Sequence, residues 1–172
     1  GDSFKANAAQ LQLLVQKGMH NIFTVVGGGA MHLNDAFAHC EGLNVLYNHH
    51  EQACALAAEG YARVNGVPGV VCVTTGPGGT NAITGVLCAW QDNIPMLVIS
   101  GQVRFETTVQ STGLNLRQYG EQEHYIIDTV RSITKYAEMV TDSQKIRYHV
   151  EKAIHIATQG RRGPCGQDVP VN

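Results

Sequence analysis

The chain has 172 residues, a formal net charge of -2, and 44% hydrophobic, 15% charged and 6% aromatic residues. That balance gives no electrostatic reason to bind nucleic acid or an anionic membrane, and it leaves few rings for base stacking. No apolar run approaches the roughly 20 residues needed to span a bilayer, the N-terminus lacks a signal-peptide pattern, and 172 residues suit one well-cored domain over 1–172. Five cysteines without CxxC spacing, three of them (54, 72 and 88) inside apolar segments, point to free thiols in a reducing, cytoplasmic compartment.

In chain order, Phe4 to Lys17 places Leu11, Leu14 and Val15 at helical spacing, with Gly18 as a stop. Asn21 to Val26 is a β-branched run ending in Gly27-Gly28-Gly29, and a helix is expected from Ala30 to His39. A strand from Leu43 to Tyr47 leads into an alanine-rich helix that contains Glu51 and runs to about Asn65. Val70 to Thr74 is continuously apolar, as a strand buried on both faces should be. Gly76-Pro77-Gly78-Gly79-Thr80-Asn81 is read as a loop that turns the chain into a helix ending near Trp90. Pro95 to Ser100 is a further buried strand.

From Gln102 to Gln122 periodicity weakens into a long excursion, a length that in compact domains usually marks function or disorder. Helical spacing returns at Ile126, Ile127 and Val130, and a short strand is expected within Ile133 to Val140. Asp142 or Ser143 is placed to cap an amphipathic helix reaching Thr158, with Ile146, Val150, Ala153, Ile154 and Ala157 as its apolar stripe. Asp168 to Val171 reads as the last strand. The alternation predicts an α/β fold, a three-layer doubly wound parallel sheet with helices on both faces. Ligands approach such sheets at the carboxyl ends of the strands, which here carry Gly27 to Gly29, Asn48 to Glu51, and Gly76 to Asn81.

Several chemistries fail on spacing. No Gly-Lys-Ser/Thr follows Gly79, so the loop is not a Walker A motif, and Gly27-Gly28-Gly29 does not extend to GxGxxG. His50-Glu51-Gln52-Ala53-Cys54 misses the second histidine of HExxH, and no GxSxG elbow is present; no metal-ligand set is assigned. The glycines of Gly76 to Asn81 allow either close backbone approach to a ligand or close packing alone. Glu51 also has two readings. It is either the reciprocal partner in a capping box begun by Asn48, or a carboxyl group aimed into an apolar pocket for proton exchange.

The ordered set Gly27-Gly28-Gly29-Ala30, His50-Glu51-Gln52-Ala53, Gly76-Pro77-Gly78-Gly79-Thr80-Asn81 and Ser100-Gly101-Gln102 resembles thiamine-diphosphate enzymes of the acetolactate synthase group. The match is to their N-terminal, pyrimidine-binding domain. It extends through Ser132-Ile133-Thr134-Lys135 and Gly160-Arg161-Arg162-Gly163-Pro164 to Asp168-Val169-Pro170-Val171. The resemblance implies that Glu51 hydrogen-bonds N1′ of the cofactor aminopyrimidine and so promotes loss of the C2 proton of the thiazolium. It implies cofactor contacts from Val26, Gly27, Gly28, Thr75, Gly76, Pro77, Gly78 and Asn81, and substrate contacts from Gly29, Ala30 and Gln122.

The same resemblance implies a small 2-keto acid as substrate and a homodimer or tetramer joined through the helices after Glu51 and Asn81. The diphosphate and Mg²⁺ are expected on a C-terminal domain of a second subunit, because no GDG motif occurs in this chain. The chain is then expected to bind only the pyrimidine half of thiamine diphosphate, to belong to a longer enzyme, and to fold alone without turnover. Other readings are a non-catalytic α/β binding or regulatory module, and a short subunit of a split thiamine enzyme. Three segments depart from the group: the first loop has Gly27 or Gly28 where a proline is common, Arg104 to Glu121 is unlike the biosynthetic enzymes, and Cys165-Gly166-Gln167 replaces an apolar strand.

Overall fold

The strands are joined by connections that hold helices and are long enough to cross over the sheet, which favours parallel pairing. The computed structural model describes residues 2–171. Helix α1 (Asp2–Gln16) leads to β1 (Asn21–Thr24), a 3₁₀ turn (Gly28–Ala30) and α2 (Met31–Ala38). Then come β2 (Asn44–Tyr47), α3 (Glu51–Asn65), β3 (Gly69–Val73), α4 (Pro77–Asn81), α5 (Ile83–Gln91) and β4 (Met96–Gln102). The excursion holds a 3₁₀ turn (Phe105–Thr107) and α6 (Val109–Thr112), and α7 (Ile126–Val130), β5 (Tyr136–Met139), α8 (Ile146–Thr158) and β6 (Pro164–Pro170) complete the chain. Among the described residues, six strands form one all-parallel sheet in the order β2-β1-β3-β4-β6-β5.

Two cores lie on opposite faces, giving the expected three layers. On one face Leu11, Leu14, Leu33, Phe37, Val150 and Ala153 from α1, α2 and α8 pack against Val70, Cys72, Leu97 and Ile99. On the other, Cys54, Ala55 and Ala58 of α3 and Val86 and Ala89 of α5 cover Phe23, Val71, Val73 and Met96. Alternate residues of β3 therefore serve both cores, and all five of its residues are buried. Small residues let α3 sit close to its neighbours. A Cβ on Gly69 would lie 1.9 Å from the Ala58 carbonyl oxygen, and one on Gly85 would lie 2.4 Å from Ala55 Cβ.

Three sequence expectations change. The segment Pro77–Asn81 is itself helical, with Gly76 as its N-cap at φ 57° and proline in the first turn, where its missing N–H costs nothing. Strand β6 starts at Pro164 rather than Asp168 and is buried throughout. It takes in Cys165, Gly166 and Gln167 because Gln10 of α1 donates to Gln167 Oε1 at 3.3 Å and gives that side chain a buried partner. The amphipathic helix is preceded by a 3₁₀ turn, Ser143–Lys145, capped by the Asp142 carboxylate, which accepts from the Gln144 amide.

Strand order sets the site. The chain moves from β1 outward to β2, then returns to place β3 on the other side of β1. The loops leaving β1 and β3 consequently diverge from adjacent strand ends and open a crevice between them.

Candidate active site

Glu51 is the first residue of α3 and is half-buried. Its cap is not the one expected. The Asn48 amide still donates to Thr24 O at 3.0 Å, so Asn48 extends the sheet register and sits too far upstream to cap the helix. His50 is the N-cap, with extended backbone, and its Nδ1 accepts from the Gln52 amide at 3.0 Å. The capping-box reading of Glu51 is thereby corrected, and its carboxylate is free of that duty. Oε2 instead accepts from Asn81 Nδ2, on α4, at 3.0 Å. Oε1 would lie 3.6 Å from a Cβ on Gly78, so the glycine keeps that side of the carboxylate uncrowded.

Beside this pair, the loops after β1, β3 and β4 line an open cleft of about 900 Å³. Gly27, Gly28, Gly29, Thr74, Thr75, Val103, Arg104 and Gln122 border it. Glu51 and Asn81 do not, so the residues expected to form one site fall into two neighbouring groups. Thr74, which the sequence reading did not single out, connects them. Its Oγ1 accepts from the Gly29 amide at 3.1 Å, and its methyl would lie 2.6 Å from a Cβ on Gly78. A Cβ on Gly27 would strike Thr74 at 2.4 Å, so Gly27 is required for packing, whereas nothing lies within 4 Å of one on Gly28.

The other expected residues divide. Gly76 and Gln122 touch: a Cβ on Gly76 would stand 1.9 Å from the Gln122 carbonyl oxygen, and both residues have positive φ. Thr75 is buried and borders the cleft, while Pro77 is exposed at the start of α4. Val26 is 58% exposed and lies outside the cleft lining, and Ala30 is in the core with 1% exposure. The apolar pocket expected around Glu51 is not formed by this chain alone, since the residues flanking it, Gln52 and Ala53, are exposed.

Two polar residues under the cleft were also missed. Glu123 is buried and accepts from three backbone amides: Val109 at 2.6 Å, and Tyr119 and Gly120 at 3.0 Å each. It gathers the excursion into an ordered rim. Gln102, 1% exposed, bonds Thr75, the Val103 amide, His124 O and Asp168. Burial pushes the Asp168 carboxyl up to about 7, against the opposing hydrogen bond from Gln102.

A family described as "Thiamine pyrophosphate enzyme, N-terminal TPP binding domain" matches residues 4–149. The chain belongs to this family. It is similar to the chloroplastic acetolactate synthase of Arabidopsis thaliana, 36% identical over 163 residues, covering 93% of this chain and 23% of the relative. The acetolactate synthase large subunit of Buchnera aphidicola is 39% identical over 157 residues, covering 91% and 26%. The mitochondrial catalytic subunit of Saccharomyces cerevisiae is 36% identical over 159 residues, covering 92% and 22%. The chain thus spans about a quarter of the length of these relatives. The six-stranded parallel sheet is the α/β fold of this N-terminal domain. No helix among the described residues is long and apolar enough to cross a membrane.

Proposed function

We propose that this chain supplies the pyrimidine-binding half of a thiamine diphosphate site in a 2-keto-acid carboligase or decarboxylase of the acetolactate synthase type. The observation that carries the reading is the Glu51 carboxylate at the start of α3, oriented by Asn81 through one oxygen and left uncrowded by Gly78 at the other. These residues fit an aminopyrimidine: a ring nitrogen needs one in-plane carboxyl partner, and a flat heterocycle needs side-chain-free backbone beside it.

When bound, thiamine diphosphate supplies an electron sink for bonds broken or made at a carbonyl carbon. Glu51 holds and exchanges a proton at N1′ of the aminopyrimidine, and Asn81 fixes the carboxylate plane while it does so. Gly27, Gly28 and the Thr75 to Gly78 turn would form the wall against the ring, and Val26 would reach its outer edge. Gly29 and Gln122 face a small 2-keto acid in the cleft, with Ala30 holding the Gly29 turn from the core.

The remaining contacts come from elsewhere. A C-terminal domain of a second subunit would bring Mg²⁺ and the diphosphate contacts and close the exposed side of Glu51. A homodimer or tetramer follows, joined through α3 and α5, where Leu56, Val64, Leu87 and Trp90 are exposed. This chain by itself is then a single domain that folds without turning substrate over. Five free cysteines, four of them buried, suit a reducing compartment such as the cytoplasm.

The test is Glu51→Gln in the full-length protein, assayed with thiamine diphosphate, Mg²⁺ and a panel of 2-keto acids. General acid–base residues contribute about 10²–10⁴-fold, and a fall in kcat of that size is expected. Unchanged turnover in Glu51→Gln would remove the catalytic role.

A further inference from the structure

Both walls of the cleft meet at one buried amide. Gln102 ends β4, and each of its four hydrogen-bonding positions is used. Its Oε1 accepts from the Val103 amide at 3.0 Å and from the Thr75 hydroxyl. Its Nε2 donates to His124 O at 2.9 Å and to Asp168 Oδ2 at 3.1 Å. The orientation of the amide is fixed by chemistry, because a backbone N–H can only donate and a backbone carbonyl can only accept. Thr75 must then donate, so its hydroxyl proton is committed inward and only acceptor lone pairs remain for the cleft.

The partners are informative in their placement. Thr75 stands in the wall built by the turn after β3. His124 lies two residues beyond Gln122, which belongs to the opposite wall and holds a left-handed backbone at φ 55°. A non-glycine residue there is strained and persists only where its surroundings hold it. Three contacts do so: Gly76 packs beneath its carbonyl, Glu123 gathers the amides of Tyr119 and Gly120 before it, and Gln102 holds His124 O after it. Asp168, fully buried on β6 beside Ser100, anchors the amide from below.

We propose that Gln102 is a positioning residue that joins the Thr75 wall to the Gln122–His124 wall, with Asp168 as its anchor, and so sets where Gln122 meets the substrate. The proposal rests on the reading that Gln122 faces substrate. Gln102 touches neither substrate nor cofactor, and acts through the backbone at His124. Removing its amide frees the carbonyl of His124 and the hydroxyl of Thr75 together, and the strained segment at Gln122 relaxes. The hydrogen bond between Asn81 and Glu51, on α4 and α3, does not involve Gln102.

The experiment compares full-length wild type with Gln102→Met by amide hydrogen exchange, resolved by segment, and by steady-state kinetics with a 2-keto acid. Exchange in residues 120–124 is expected to quicken about tenfold, a local opening, while α3 and β3 stay protected. The KM for the keto acid rises by a larger factor than the Kd for thiamine diphosphate. Unchanged exchange at 120–124, or an equal rise throughout the domain, overturns the proposal. Where Gln102→Met does not fold, Gln102→Glu serves: it faces the Asp168 carboxyl and the His124 carbonyl with an acceptor, and adding Asp168→Asn restores a donor at one of them. Partial recovery of protection at 120–124 in the double variant supports the proposal, and no recovery refutes it. A protein that turns over no keto acid yet shows these exchange changes would sink the functional reading and leave the positioning role standing.

Discussion

Gly76→Ala probes the junction between the two walls of the cleft. Gly76 has φ 57° and ψ -116°, outside the left-handed helical basin, and backbone strain of this kind costs a residue with a Cβ about 1–3 kcal/mol. The added methyl would also stand 1.9 Å from the Gln122 carbonyl oxygen. Ordinary contact lies near ~3.5 Å, so backbone on one side must move by about 1.5 Å. Overpacking of that kind costs about 1–3 kcal/mol. The combined destabilisation is then about 2–6 kcal/mol, since both causes act at one position. Gly28→Ala is the control: it lies in the same cleft, lacks a positive φ and meets nothing within 4 Å. It should cost under about 0.5 kcal/mol. Urea unfolding followed by circular dichroism measures both. Equal midpoints for the two variants would refute the assignment of Gly76 as a forced glycine.

Two further outcomes follow from buried carboxyl groups. The Asp168 carboxyl is raised by burial to about 7, above its unfolded value, so the native state binds a proton that the unfolded chain has released. Its contribution is present at low pH and is lost as pH rises from about 4 to about 7, at up to ~1.4 kcal/mol per pH unit. Asp168→Asn should flatten that part of the stability curve, measured by urea unfolding at pH 5 and pH 7.5; an unaltered slope would count against a protonated Asp168. Glu123→Gln replaces one acceptor oxygen with a donor facing backbone amides of the excursion. Limited proteolysis should then cut within residues 104–121 several-fold faster than in wild type, with the sheet intact, and equal cutting rates would show that Glu123 does not order the rim.

Much of the architecture was legible because hydrophobic patterning and punctuation agreed. Val70 to Thr74 reads as a strand buried on two faces, and Val70, Val71, Cys72 and Val73 do serve two cores. Of the stripe Ile146, Val150, Ala153, Ile154 and Ala157, four residues are buried and Ile154 is half-buried against the same core. Signals failed where a tertiary contact overrode a local preference. Asn48 has the chemistry of an N-cap, but β2 extends its pairing to that residue and hands the cap to His50. Glycines and a proline suggested a loop at Pro77–Asn81, yet proline suits a first helical turn and Gly76 takes the strained step that starts it. Cys165-Gly166-Gln167 lacks an apolar strand pattern, yet it is held as a strand by pairing with β4 on one side and β5 on the other, and Gln167 Oε1 accepts from Gln10, 157 residues away.

The site was legible to a different degree. Of the segments carrying the family resemblance, Gly27 to Ala30 and Gly76 to Asn81 follow the adjacent strands β1 and β3, and Glu51 and Asn81 are bonded. Thr74, Gln102, Glu123 and Asp168 were given no role of their own: Thr74, Gln102 and Asp168 act through hydrogen bonds between distant segments, and Glu123 through backbone amides of the irregular excursion, and neither leaves a periodic trace. One sequence cue for Gln102 and Asp168 existed in hindsight of chemistry alone: polar side chains at positions of an apolar strand must find buried partners.

The central claim is that Glu51 exchanges a proton with the cofactor ring. Its most direct measurement is deuterium exchange at C2 of thiamine diphosphate bound to the full-length protein, followed by NMR after acid quench, in wild type and Glu51→Gln. The account predicts exchange slowed by about 10²–10⁴-fold in the variant, with the cofactor still bound. Equal exchange rates at equal cofactor occupancy would contradict it.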